Sequence, residues 1–320
     1  MKIGVLLALF GDRTLEQALD YVTKMGIDTV EIGTGNYPGD PHCKPGALLR
    51  DGKKLQAFQD TLKKYGVTVS ALSCHGNALH PNEEIAKKNH RVQRNTILLC
   101  QKLGIERMIT FSGCPGGGPG HKTPNWATCA WPPDFLEVLQ YQWDKVAIPY
   151  WKEEAKFARS HGVKICFEAH PGFIVYNTET LLRIRAECGD NIGANFDPSH
   201  FFWQGIDPIA AAREMGPAIF HVHAKDTKIN PYTTIVNGAL DTKHYGDVIH
   251  RSWVFRTVGY GHGEDWWRDF VSTLRALGYD DVLSIEHEDS LMSQSEGLTK
   301  AVQFLQGIVI KESAGAMWWA

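Results

Sequence analysis

Four short segments put residues able to hold a metal or move a proton at the ends of apolar runs. They are Cys166-Phe167-Glu168-Ala169-His170, Phe196-Asp197-Pro198-Ser199-His200, His221-Val222-His223-Ala224-Lys225-Asp226 and Ser284-Ile285-Glu286-His287-Glu288-Asp289. If four successive strands of one parallel barrel carry them, Glu168, Asp197, His223 and Glu286 converge on a single rim, because side chains at C-terminal strand ends face one opening. Three carboxylates with one imidazole form a hard, oxygen-rich set suited to Mn²⁺, Mg²⁺ or Co²⁺, whereas a structural Zn²⁺ more often recruits thiolates. Taken singly, a strand-end glutamate is usually an ion-pair or cap partner, and a histidine in an apolar run is usually a satisfied core residue. Four in succession obeying one rule points to a divalent-metal site for a small oxygenated molecule. Such an ion polarises a carbonyl and its neighbouring hydroxyl, and a carboxylate can then remove the proton on the carbon between them.

The elements that must position these residues alternate regularly. Apolar or β-branched runs at 2–7, 29–32, 68–73, 107–111, 164–168, 193–197, 218–223 and 282–286 predict eight strands. Helical periodicity fills the intervals around 14–25, 46–65, 83–103, 134–160, 178–188, 207–215, 264–277 and 294–310. Thr14, Asn177 or Thr178, and Asp207 are expected caps, and Gly26, Gly66, Gly104, Gly162, Gly189 and Gly278 mark helix ends. Strict alternation with continuous apolar strands argues for a parallel sheet covered by helices, and eight units favour an α/β fold of the closed (β/α)₈ TIM-barrel kind. No linker, low-complexity tract or charge run divides the chain, so 1–320 is expected to be a single catalytic domain. Two long βα loops, after strand four (113–133) and strand seven (226–263), fall on the catalytic face.

In order, the Glu, Asp-Pro-Ser-His, His-Val-His-x-Lys-Asp and Ile-Glu-His-Glu segments resemble the sugar phosphate isomerase/epimerase superfamily, the xylose isomerase-like TIM barrels. The resemblance covers nearly the whole chain and is strongest from Glu168 onward. It implies one divalent ion, Mn²⁺ first with Mg²⁺ or Co²⁺ as alternatives, held by Glu168, Asp197, His223 and Glu286. It implies further that Glu168 and Glu286 are the paired acid and base, and that His200 and His75 contact substrate oxygens. Phe255-Arg256-Thr257-Val258-Gly259-Tyr260-Gly261-His262-Gly263 resembles the family's Arg-then-Gly-x-Gly element, although its spacing differs slightly, and Arg256 would then bind a sugar hydroxyl or phosphate. Lys225, with Asp226, lies just beyond the His223 ligand and is expected to touch substrate or support the ligands; a rim ion pair is the ordinary alternative. Glu31 could line the pocket or form a rim salt bridge.

The implied activity is a metal-dependent isomerase or epimerase acting on a sugar or keto-sugar through a metal-stabilised enediolate. The alternative is a lyase of the same superfamily, dehydrating an inosose or cleaving a keto-glycoside by β-elimination. Trp126, Trp131 and the Trp266-Trp267 pair suggest a wider or differently roofed pocket that would suit the larger substrate, although most tryptophans in a barrel are packing residues. A remote alternative is a nuclease of the endonuclease IV kind. Against it, the strand-four end reads Phe111-Ser112-Gly113 without an imidazole, and no Asp-x-His pair follows His223.

Composition narrows the classes further. A net charge of -3 without a basic stripe speaks against nucleic acid, and no apolar run approaches the ~18 residues of a membrane span. The first residues, Met1-Lys2-Ile3-Gly4-Val5-Leu6-Leu7, read as a buried strand and not as a signal peptide. Seven scattered cysteines with no Cys-x-x-Cys fit reduced thiols and a cytoplasmic protein. The apolar tail Met317-Trp318-Trp319-Ala320 is expected to pack on its own barrel, or on a second copy or partner subunit.

Overall fold

In the computed structural model, which describes residues 1–313 and 315–319, eight parallel strands close into a barrel. They are β1 (Lys2–Leu6), β2 (Thr29–Gly33), β3 (Thr68–Ser73), β4 (Arg107–Thr110), β5 (Lys164–Glu168), β6 (Ile192–Phe196), β7 (Ile219–Ala224) and, after an excursion of two further strands, β10 (Val282–Ile285). β1 pairs with β2 on one side and β10 on the other, so no edge is left open. Both faces of each strand are covered, by helices outside and by barrel-filling side chains inside. That explains why the runs read as continuously apolar instead of alternating.

The expected caps are present. Thr14 and Asn177 each form a capping box, and Asp207 accepts from the amides of Ile209 and Ala210. Gly104 closes the long helix Glu83–Leu103 in the left-handed region at φ 70°, where other residues are strained. Two expected helices are interrupted. The 46–65 stretch divides into Pro45–Arg50 and Gly52–Lys64 because the carboxylate of Asp51 takes the amides of Lys53 and Lys54 and starts a new helix. The 134–160 stretch contains a π-helical turn at Gln142–Ala147, just before Pro149, whose missing N–H cannot continue the ordinary ladder.

The 226–263 segment is not a loop but a small subdomain on the barrel mouth. β8 (Asp226–Ile229) pairs antiparallel with β9 (Trp253–Arg256), and the helix Pro231–Asn237 lies between them. Its base is fixed by Asp226, whose Oδ2 accepts from the amides of Gly259, Gly261 and His262 at 3.2, 3.0 and 2.9 Å and from Trp267 Nε1 at 3.3 Å. Its Oδ1 lies 2.8 Å from His262 Nδ1. The chain turns so closely around this carboxylate that a Cβ on Gly261 would sit 2.3 Å from the Thr227 carbonyl oxygen and 2.4 Å from Asp226 Oδ1. The Gly259-x-Gly261 signal therefore serves close backbone approach to an internal anion. Asp226→Ala, which strands several buried donors, is expected to lower stability by about 3 kcal/mol, read from chemical denaturation. A loss under about 1 kcal/mol would show that the turn holds without the carboxylate.

Candidate active site

The sequence ligands arrive as the strand order requires. Glu168 ends β5, Asp197 and Glu286 lie one residue past β6 and β10, and His223 sits near the end of β7. One ligand atom from each lies within 4.8 Å of the others, at the C-terminal mouth of the barrel. Glu168, Asp197 and His223 are fully buried, and the Glu286 side chain is 16% exposed.

The imidazole of His223 is wired from behind. Its Nε2 lies 3.0 Å from Glu31 Oε2 and 3.2 Å from Oε1, so Nε2–H donates to that carboxylate and Nδ1 faces the mouth. Nδ1 is 3.2 Å from both Glu168 Oε2 and Glu286 Oε2, without hydrogen-bond geometry to either, and Asp197 Oδ2 likewise has no hydrogen-bond partner. Two buried polar atoms pointing at one spot among carboxylates fit a cation, since burial without a partner is otherwise costly. Glu31 is thus neither pocket lining nor rim salt bridge. Buried and accepting also from Ser284 Oγ at 2.7 Å and from Ser73 Oγ, it orients the His223 ring. Burial would raise its carboxyl, but the His223 imidazole more than offsets this and holds it at about 2.

Glu168 is gripped by three side chains. His75 Nε2 stands 3.1 Å and Asn195 Nδ2 3.0 Å from its Oε2, and His200 Nε2 stands 2.9 Å from Oε1. Burial opposes its charge, yet these donors and His223 hold its carboxyl well below the usual range. For Asp197, burial dominates and pushes the carboxyl up. Behind Asn195, its Oδ1 lies 2.8 Å from His221 Nδ1, and His221 Nε2 lies 3.3 Å from Ser70 Oγ, which carries the support down the barrel axis. Asn195 and His221 were not singled out by sequence reasoning, although each stands two residues before a ligand and hence on the same inward face.

The expected substrate contacts divide. His75 and His200 both lie against Glu168 at the mouth. Lys225 does not stand free: its ammonium is 2.9 Å from Glu286 Oε2, 2.7 Å from Glu288 Oε2 and 3.5 Å from Asp197 Oδ2, and these carboxylates keep it charged against the effect of burial. Arg256 is likewise already paired. Its Nε donates to Asp289 Oδ2 at 3.0 Å, and the same oxygen accepts the Thr257 amide, so the side chain clasps the end of β9 to the segment after β10. The tryptophans are a correction. Trp267 is core, Trp266 packs on Phe202 and Phe270, Trp131 points to solvent, and Trp126 lines a separate cavity beside Tyr176. Above the carboxylates lies a cavity of about 390 Å³ walled by Tyr37, His75, Phe111 and His170. His170 donates Nδ1–H to the Pro171 carbonyl at 2.6 Å, which leaves its Nε2 lone pair bare, and burial pushes its pKa down to about 3. If Glu31 fixes the ligand tautomer of His223, Glu31→Gln will weaken Mn²⁺ binding roughly ten- to a hundredfold in calorimetric titration. Unchanged affinity would remove that role.

Most described cysteines are buried, and Cys129 is exposed. Among the described residues no helix is long and apolar enough to cross a membrane. Met317, Trp318 and Trp319 stand in solvent instead of packing on the barrel, and Ala320 lies outside the described residues.

Comparison with known proteins agrees with this fold. The chain is 42% identical over 309 residues to the uncharacterized protein YfiH of Bacillus subtilis (strain 168), covering 96% of this chain and 98% of that one. It is 25% identical over 224 residues to the inosose dehydratase of Yersinia enterocolitica, covering 68% and 65% of the two chains. Its fold superposes on a crystal structure of the IOLI protein with a bound zinc atom at a TM-score of 0.66, with 20% identity and 97% and 98% coverage. The family model described as the xylose isomerase-like TIM barrel matches residues 19–308. With this match and the closed eight-stranded barrel, the chain belongs to the xylose isomerase-like TIM-barrel family.

Proposed function

We propose that this chain is a divalent-metal-dependent isomerase or epimerase of a sugar or keto-sugar, working by proton transfer at the carbon beside a carbonyl. The observation that carries the reading is the pair Glu168 and Glu286. Both line one cavity, and both stand 3.2 Å from His223 Nδ1, a buried nitrogen without a hydrogen-bond partner. The ion, which we take to be Mn²⁺, would be held by Glu168, Asp197, His223 and Glu286, and when bound it supplies Lewis acidity to a carbonyl and its neighbouring hydroxyl.

The side chains do the rest. One of the two glutamates removes the proton, and the other returns one, to the same carbon in epimerisation or to its neighbour in isomerisation. Their surroundings differ, as acid and base require: Glu168 is fixed by three donors, while Glu286 is partly exposed beside the Lys225 ammonium. His75 and His200, already within hydrogen-bond reach of Glu168, are placed to hold substrate oxygens, and Phe111 and Tyr37 wall off water. The substrate is a small molecule and not a nucleic acid, the chain acts as one catalytic domain in the cytoplasm, and the exposed tail offers a contact for a second copy or partner subunit. Elimination from the same proton abstraction is the second reading, favoured by the similarity to an inosose dehydratase.

Incubation in heavy water with ketoses, inososes and keto-glycosides, followed by NMR, tests the reaction. Deuterium beside the carbonyl in a stereoisomer or positional isomer supports isomerisation, and an unsaturated product supports elimination. Conversion without exchange at carbon would overturn both. Glu168→Gln and Glu286→Gln are each expected to cut turnover by ~10² to 10⁴, the scale of a positioned acid or base, and near-native turnover in either would remove that residue from the proton path.

A further inference from the structure

A second cavity adjoins the one over the carboxylates. It measures about 440 Å³, and its walls are Tyr245, Val254, Phe255, His170, Glu288 and Ser290. His170 and Glu288 line both spaces, so the two form one cleft with a seam. The first lobe holds the candidate ligands Glu168 and Glu286; the second holds none of the four. Either lobe alone is within the range of roughly 300–1,000 Å³ of small-molecule sites.

The second lobe has a different chemistry. Tyr245 and Phe255 stack at 5.7 Å with rings only 13° apart, Phe255 packs edge-on against Trp253 at 5.1 Å, and Trp253 stacks on Trp203 at 4.6 Å. His200 meets the Phe255 ring edge-on at 5.5 Å, and the Lys225 ammonium sits 4.3 Å over that ring. The wall is therefore a braced slab of rings that reaches from the ligand set outward. Besides the Tyr245 hydroxyl, the polar groups of the lining are His170, Glu288 and Ser290. Sugar hydroxyls placed against the slab would lose water without gaining partners, whereas a flat apolar group gains from leaving water and from stacking. Tyr245, Val254 and Phe255 all belong to the 226–263 subdomain, which the barrel does not need for closure. It builds the second lobe onto the first.

We propose that the substrate is bipartite: an oxygenated sugar portion over the carboxylates, joined to a planar apolar substituent received by Tyr245, Val254 and Phe255. The proposal rests on the reading of the first lobe as a metal-dependent sugar site, and the test separates the two. Calorimetry on the Mn²⁺-loaded protein compares phenyl with methyl β-glycosides of glucose, galactose and xylose, alongside the Mn²⁺ titration itself. At least one phenyl glycoside is expected to bind roughly tenfold or more tightly than its methyl partner, the scale of an apolar group filling a pocket. Ser290→Trp, which fills the lobe from its exposed rim, and Tyr245→Ala should each abolish that preference while leaving the Mn²⁺ titration unchanged. Equal affinities within every pair, including no binding by either member, or a preference that survives both substitutions, would overturn the bipartite substrate. Loss of Mn²⁺ binding with the phenyl preference intact would instead overturn the metal reading and leave the apolar lobe standing.

Discussion

The barrel mouth is governed by repulsion among buried carboxylates. Glu168, Asp197 and Glu286 converge within a few ångströms, and Glu31 lies just beneath. Two like charges about 4 Å apart cost about 4 kcal/mol at the effective dielectric of a protein surface, so the cluster cannot persist uncompensated. The chain meets this from two sides. Lys225 enters from the rim and bridges Asp197, Glu286 and Glu288, and His223 enters from below, braced by Glu31. Burial opposes charge on His223, but Glu31 and Glu286 outweigh it and raise its pKa well above that of an ordinary histidine, so the surrounding carboxylates favour positive charge at this point. Under the proposed reading a divalent ion would take over that compensation, and its binding would be coupled to proton release from the imidazole.

Rigidity follows from the same constraint. A carboxylate proposed to serve both as ligand and as proton acceptor needs a fixed orientation, and strand register provides it for Glu168. Glu168 on β5 sits opposite Asn195 on β6, which sits opposite His221 on β7, and the hydrogen bonds follow that pairing inward to Ser70. Asp226 performs a different task one residue beyond Lys225. It anchors the turn at Gly259-Tyr260-Gly261 and so fixes the subdomain whose rings wall the outer lobe. Site and subdomain thus hang from adjacent residues at the end of β7.

The convergence of the four candidate ligands was legible in the sequence because each ends an apolar run, and strand ends of a parallel barrel share one opening. The supporting residues were less legible. Glu31, Asn195 and His221 look like ordinary strand residues, and only the barrel's closure brings β2 against β7 through the interior. The subdomain was hidden because Asp226–Ile229 and Trp253–Arg256 are short and pair with each other across more than twenty intervening residues. Arg256 matched a motif, yet its role depends on Asp289, a residue from a different βα unit that no local pattern connects to it. The tryptophans drew attention by type, but the rings that wall the cleft include Tyr37, Phe111, Tyr245 and Phe255, and no tryptophan is among its described lining residues.

The central claim is that Glu168, Asp197, His223 Nδ1 and Glu286 hold one divalent ion. Anomalous diffraction at the manganese edge from crystals grown with Mn²⁺ tests it directly. The account predicts one strong peak among these four residues, at about 2.0–2.3 Å from a ligand atom of each. A peak lying instead against the Nε2 face of His223 beside Glu31 and His221, or no peak at the mouth of a well-ordered barrel, would contradict it.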